Sequence, residues 1–144
     1  MCTVFIGMTS IKREVFSGYV YETVLDDISV TLTFDGHFMN NNNNFNIQTG
    51  IYTCPTDGVY AFHDVMTSPE FENALIDVRD SRVLSARATT NGAYSYILQS
   101  ANMAVFWCEK DTEISLITPW LDSFSIIGDE NMKVNTFTGF RICK

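Results

Sequence analysis

Apolar and polar positions along this chain alternate with a period of two, in short stretches separated by turn residues. The clearest stretch runs from Phe34 to Phe62, FDGHFMNNNNNFNIQTGIYTCPTDGVYAF. It opens with an Asp-Gly turn and an Asn run. It then reads as two short strands, 50–55 and 59–62, separated by Thr56-Asp57-Gly58. Tyr52 and Cys54 stand two positions apart, as do Tyr60 and Phe62. A half-buried strand requires that spacing, because successive side chains point to opposite faces. Over 74–79, Ala74, Ile76 and Val78 fall on an inward face, with Asp77 and Arg79 outward. Over 134–142, Val134, Thr136, Thr138, Phe140 and Ile142 share one face. Turn signals recur at Asp35-Gly36, Asp57-Gly58, Asn91-Gly92 and Gly128-Asp129. Short strands punctuated in this way predict an all-β sandwich or barrel. The β-branched and aromatic residues of 11–25 favour extended structure, and 1–10 reads as a first strand. There is no convincing amphipathic helix, internal repeat or domain boundary, so 1–144 is expected to be a single domain.

Composition narrows the function classes. The 144 residues are 46% apolar and carry a formal charge of −8. That mixture belongs to a globular chain rather than a disordered one. No apolar run approaches the roughly 18 residues of a membrane helix. The negative charge argues against nucleic acid as a partner, because such binders concentrate Lys and Arg. It suits cationic ligands, metal ions or solubility. The first ten residues, MCTVFIGMTS, lack the basic start and cleavage site of a signal peptide. If the protein is secreted, its signal has been removed; the alternatives are unconventional export or retention inside the cell.

The 34–62 stretch resembles the globular head of the complement protein C1q. Its usual pattern is roughly F-D-x-x-x-x-N-x-x-x-x-F-x-x-x-T-G-x-[FY]-x-C-P-x-x-G-x-Y-x-F. Phe34, Asp35, Asn40, Phe45, Thr49, Gly50, Tyr52, Cys54, Pro55, Gly58, Tyr60 and Phe62 match it without a gap. Further on, SANMAVFWCEKDTEISL at 100–116 is similar to a second family segment, with Asp111 where Gly is usual. Phe137-Thr138-Gly139-Phe140 resembles the closing strand. The resemblance implies a ten-stranded antiparallel jelly-roll sandwich, shared with the tumour necrosis factor cytokines and usually assembled as a homotrimer. Phe45, Tyr52, Tyr60, Phe62, Phe137 and Phe140 are expected in its core, each costing about 3–5 kcal/mol on truncation to Ala.

Catalytic signatures are missing: there is no G-x-S-x-G, H-E-x-x-H, P-loop, C-x-x-C or G-x-G-x-x-G. His37 follows a turn and is expected to face solvent. His63 and Asp64 are adjacent in a strand-like run and so point to opposite faces, which suits a structural histidine rather than an acid–base pair. The Asn40–Asn44 run reads as a solvated turn, since Asn tolerates left-handed backbone. Its amides would otherwise offer donors and acceptors to a ligand. Asp26-Asp27 and Asp129-Glu130 are carboxylate pairs that calcium favours, or solvated loops. Some relatives in the resemblance hold calcium near the trimer axis, but 86–104 contains no Asp or Glu here. No cofactor is therefore expected.

The four cysteines are Cys2, Cys54, Cys108 and Cys143. Cys54 and Cys108 are expected as buried thiols. The resemblance places Cys2 and Cys143 beside the neighbouring first and last strands, which makes them a candidate disulfide. Candidate ligand residues lie in loops, where rigid sandwiches carry recognition. One set is Trp120, Asp122, Asp129 and Glu130 in the turn-rich 118–131 segment, since a Trp flanked by acids suits sugars and cations. The other is a small basic group, Arg79, Arg82 and Arg87, in a hairpin-like region. The resulting expectation is a non-catalytic, extracellular pattern-recognition module of innate immunity. It would bind glycans, microbial surfaces or proteins through a trimer that supplies avidity. The alternative is a cytokine-like or adipokine-like trimeric ligand for a cell-surface receptor.

Overall fold

The computed structural model describes residues 14–21, 30–68, 75–80, 84–89, 98–118, 126–129, 131 and 133–144; over 75–80 and 84–89 it describes the backbone alone. Ten strands follow in order among these residues: β1 (Val15–Val20), β2 (Gly36–Asn40), β3 (Phe45–Asn46), β4 (Ile51–Thr53), β5 (Gly58–Ser68), β6 (Leu75–Asp80), β7 (Leu84–Thr89), β8 (Leu98–Cys108), β9 (Glu113–Ile117) and β10 (Asn135–Cys143). They form two five-stranded sheets, in the orders β2-β1-β10-β5-β8 and β3-β4-β9-β6-β7. Every pairing within them is antiparallel. The two-sheet sandwich agrees with the alternation of the sequence. The expected first strand at 1–10 lies outside the described residues.

The inner faces of the sheets meet over an aromatic core. Phe16 of β1 sits at its centre, with ring centroids 4.5 Å from both Phe45 and Tyr52 and 5.0 Å from Phe137. Phe62, Tyr60, Met66, Ile114, Leu116 and Ile126 complete the cluster, all buried. So many rings leave no room for side chains at the points of closest approach. A Cβ at Gly139 would run into the rings of Phe16 and Phe62. Gly50, at φ +69°, turns the chain from β3 into β4, and a Cβ there would strike the Leu32 carbonyl. Only glycine meets both demands at position 50.

Two sequence expectations change. The strand expected over 59–62 is far longer: β5 runs eleven residues to Ser68, paired along its whole length with β8. Phe140, expected in the core, is 39% exposed on the outer face of its sheet. The reason is strand parity. Phe137 points inward, so Phe140, an odd number of positions away, points outward. The Asn run folds as a tight 3-10 turn over Asn41–Asn43, with Asn42 and Asn43 at φ 64° and 56°. The side chain of Asn40 closes the loop on the backbone of Phe45, accepting its N–H at 3.2 Å and donating to its carbonyl at 2.7 Å. The turn reading therefore holds.

Candidate functional site

The outer face of the first sheet is the most unusual surface of the molecule. Antiparallel sheets commonly pack one face and solvate the other. Here the outward positions of the central strands are apolar as well. Across the register, Val105 of β8 lies opposite Ala61 of β5, Ala61 opposite Phe140 of β10, and Phe140 opposite Val15 of β1. The neighbouring rows carry Trp107 beside Val59, and Met103 beside His63. At the β2 edge, Phe38 packs on Tyr19 at 4.8 Å between centroids, with Lys133 Nζ 4.8 Å above the Tyr19 ring. Phe38, Met39, Met103, Val105, Trp107, Phe140 and Ile142 are 39% to 59% exposed, and all belong to strands of this sheet. Exposed apolar side chains scattered singly are ordinary; gathered on one face they mark an interface.

The chemistry-bearing residues fall elsewhere. His37 is exposed, as expected, and His63 is half-buried on the outer face between Met103 and Thr138. Asp64 points the other way, into the core, so the two do not meet. Its exposure is 0%, and neither carboxylate oxygen has a hydrogen-bond partner. Burial raises its pKa to about 7. The sequence did mark this position: an acid two residues beyond Phe62 continues the inward alternation. At one end of the sandwich, Tyr60 Oη donates to Glu14 Oε2 at 2.7 Å, and Arg141 Nη1 lies 3.8 Å from Glu14 Oε1. These contacts tie the start of β1 and the end of β10 to the β4–β5 turn, a structural role.

The loop candidates are only partly in view. The 118–131 segment leaves β9 at Thr118, buried and bonded to Val30, and returns to the core at Ile126. Asp129 accepts the Asn131 N–H at 2.7 Å. Trp120, Asp122 and Glu130 lie outside the described residues, as do Arg82, Cys2 and the Asp26-Asp27 pair. Arg79 and Arg87 stand on β6 and β7, which pair as the expected hairpin. Cys143 is disulfide-bonded, while Cys54 and Cys108 are buried thiols. Among the described residues, no three His, Cys, Asp or Glu side chains gather as a metal site. A shallow groove of about 370 Å³ runs along the outer side of β3 and β4, lined by Asn43, Asn44, Asn46, Thr49, Ile51, Thr53 and Glu113. The sequence pointed to the Asn run but not to Glu113, which pairing with Thr53 brings to its side.

The C1q domain model matches residues 15–142. The chain belongs to the C1q domain family. Among solved structures, the globular domain of zebrafish complement 1qA protein superposes with a TM-score of 0.74 at 21% identity, covering 91% of this chain and 98% of that one. Murine APRIL at pH 5.0 gives 0.65 at 10% identity, covering 91% and 100%. The Eiger TNF of S. frugiperda gives 0.63 at 9% identity, covering 92% and 94%. At these identities the likeness shows the shared fold. No match is found among curated proteins. C1q and TNF-like domains are non-catalytic binding modules, typically trimeric and generally extracellular. No helix among the described residues is long and apolar enough to cross a membrane.

Proposed function

We propose that this C1q domain is an extracellular, homotrimeric recognition module of innate immunity that binds glycans or proteins on microbial surfaces. The observation that carries the reading is the apolar outer face of the first sheet. Val105, Trp107, Met103 and Phe140 lie on one surface, and a neighbouring copy of the chain would remove them from water. Three copies then present three sets of loops, and the weak contacts of single domains combine into avidity. The ligand surfaces are the groove beside the Asn run and the loops bearing Trp120, Asp122, Asp129, Glu130, Arg79 and Arg82. The groove supplies amides, hydroxyls and one carboxylate, groups that exchange hydrogen bonds with sugar hydroxyls. The single domain is proposed to span 1–144.

Light scattering at micromolar concentration tests the assembly, with a mass near three times 16.3 kDa expected; a sharp monomer peak would sink it. A glycan and microbial-envelope screen, run with and without calcium, tests the ligand class. A trimer with no preference among sugars and envelopes supports the other reading, a cytokine-like ligand, which draws on the fold shared with the Eiger TNF.

A further inference from the structure

The groove beside the Asn run has a floor and a wall that the backbone fixes. The floor is the outer face of β3, β4 and β9, where the register sets two rows: Asn46, Ile51 and Ser115 in one, Thr53 and Glu113 in the next. The wall is the Asn turn. Asn40 clamps it to the Phe45 backbone, the Thr53 N–H donates to the Asn44 carbonyl at 2.9 Å, and the Gly50 N–H donates to the Asn46 carbonyl at 2.8 Å. The Asn46 side chain accepts the Gln48 and Thr49 N–H groups at Oδ1, at 3.0 and 3.3 Å, which leaves its amide NH2 for other partners. A wall fixed in advance loses little entropy when a ligand arrives. The groove lies on the second sheet, away from the apolar outer face of the first, so assembly through that face leaves it open.

The groove holds a carboxylate and no cation. Among its described lining residues there is no Lys, Arg or His, and the chain as a whole carries a charge of −8. Anionic sugars and phosphates would meet repulsion with nothing to offset it. Glu113 is exposed, and among the described residues its carboxylate has neither an ion pair nor a hydrogen bond. It is open to a ligand ammonium, and a charge-assisted contact of that kind is about twice as strong as a neutral one. The Asn44 amide nitrogen, in the wall, is buried without a hydrogen-bond partner. An unmet buried donor costs stability, and a ligand oxygen in the groove would satisfy it. We propose that the groove is a subsite for a hexosamine unit whose amine is free and protonated, an assignment that rests on the reading of this domain as a glycan-binding module. The ammonium sits at Glu113, the apolar face of the ring lies on half-buried Ile51, and the hydroxyls exchange hydrogen bonds with the Asn46 NH2 and the Thr53 hydroxyl. The two rows stand two residues apart along β4, about 7 Å, which accommodates one sugar ring. An N-acetyl group would remove the charge from the nitrogen and leave Glu113 unmatched, so the subsite selects the deacetylated sugar.

Calorimetric titration of the full chain with a glucosamine tetramer and with its fully N-acetylated counterpart tests the assignment. Expected is a preference of about tenfold for the free amine at low ionic strength, shrinking as salt is added. Glu113→Gln keeps the side-chain shape and should cut that preference to under about twofold, with the melting temperature unchanged because the residue is exposed. Glu109→Gln removes an exposed carboxylate outside the groove. It should leave the preference intact, which separates the subsite from general attraction to an acidic protein. Equal affinities for the two tetramers, a preference that survives Glu113→Gln, or equal losses in the two variants would each overturn the subsite. Should other glycans still bind in those cases, the recognition reading stands without it; binding of no glycan at all would remove both.

Discussion

The inner and outer faces of the first sheet come from the same strands and are both apolar, but they are covered in different ways. Phe16, Phe62 and Phe137 point inward and are fully enclosed by the second sheet. Val105 and Trp107 of β8 and Phe140 of β10 point outward from the same sheet and stand open. Burial of the inner residues holds the monomer together, because each removes a large apolar area from water. The outer residues add nothing to that until another surface covers them. Folding and assembly are thus written on alternate positions of the same strands. A substitution's parity along the strand decides which of the two it disturbs.

The largest expected effect on the fold comes from the inner face. Phe62→Ala would open a cavity beside Phe16, Tyr52, Tyr60, Phe106 and Phe137. The cost should be about 3–5 kcal/mol, seen as a fall in the melting temperature of roughly 10 °C. Phe140→Ala, the same chemical change on the outer face, should cost the isolated fold under about 1 kcal/mol. Equal losses for the two variants, measured where the protein is monomeric, would break the comparison.

Asp64 is the exception on the inner face, and its effect comes next in size. Its pKa is raised by burial to about 7, whereas an unfolded chain releases the proton near 4. Between those values the folded state holds a proton that the unfolded state does not. Its contribution to stability is therefore fully present below about pH 4, falls as pH rises toward 7, and levels off above that. Ionised at pH 8, it costs roughly 2–4 kcal/mol. Asp64→Asn keeps the shape and removes the charge. Urea unfolding of both proteins from pH 4 to 8 should show the variant gaining on the wild type as pH rises. Parallel profiles would mean that Asp64 is not ionising in the core. Every other group is common to both proteins and cancels in the difference.

The same position explains what the sequence did and did not disclose. Tyr60 and Phe62, like Tyr52 and Cys54, were legible as core because apolar residues two apart in a strand leave one reasonable face. β5 was read as a short strand over 59–62 with His63-Asp64 in a strand-like run beyond it, whereas pairing with β8 carries one strand on to Ser68. Ladder hydrogen bonds, which any side chain permits, outweighed the local polarity. Phe140 was misplaced because a family motif groups it with Phe137, although alternation within 134–142 already set it on the other face. The apolar outer face was harder to see. Its rows, such as Val105–Ala61–Phe140–Val15, are drawn from four strands far apart in the chain, and only the register assembles them. The Asn groove is a similar case, since Glu113 joins it through pairing with β4.

The smallest expected effect on the fold is also the sharpest test of the comparison. Val105 projects from β8 at 55% exposure, so Val105→Asp should change monomer stability by no more than about 0.5 kcal/mol. The charge would remain in water in the monomer and be driven out of it in the assembly. A carboxylate buried at an interface without a partner costs several kcal/mol, and a symmetric trimer carries it three times over. The variant should therefore run as a 16.3 kDa monomer at concentrations where the wild type is trimeric. Its far-ultraviolet circular dichroism should stay unchanged. Its melting temperature should fall only by the part that assembly contributes, and that part should grow with protein concentration in the wild type alone. Phe38→Ser, at the β2 edge of the same face, asks how far the interface extends. If Val105→Asp remains trimeric, the copies meet elsewhere, and the outer face of the first sheet must be covered by a different partner.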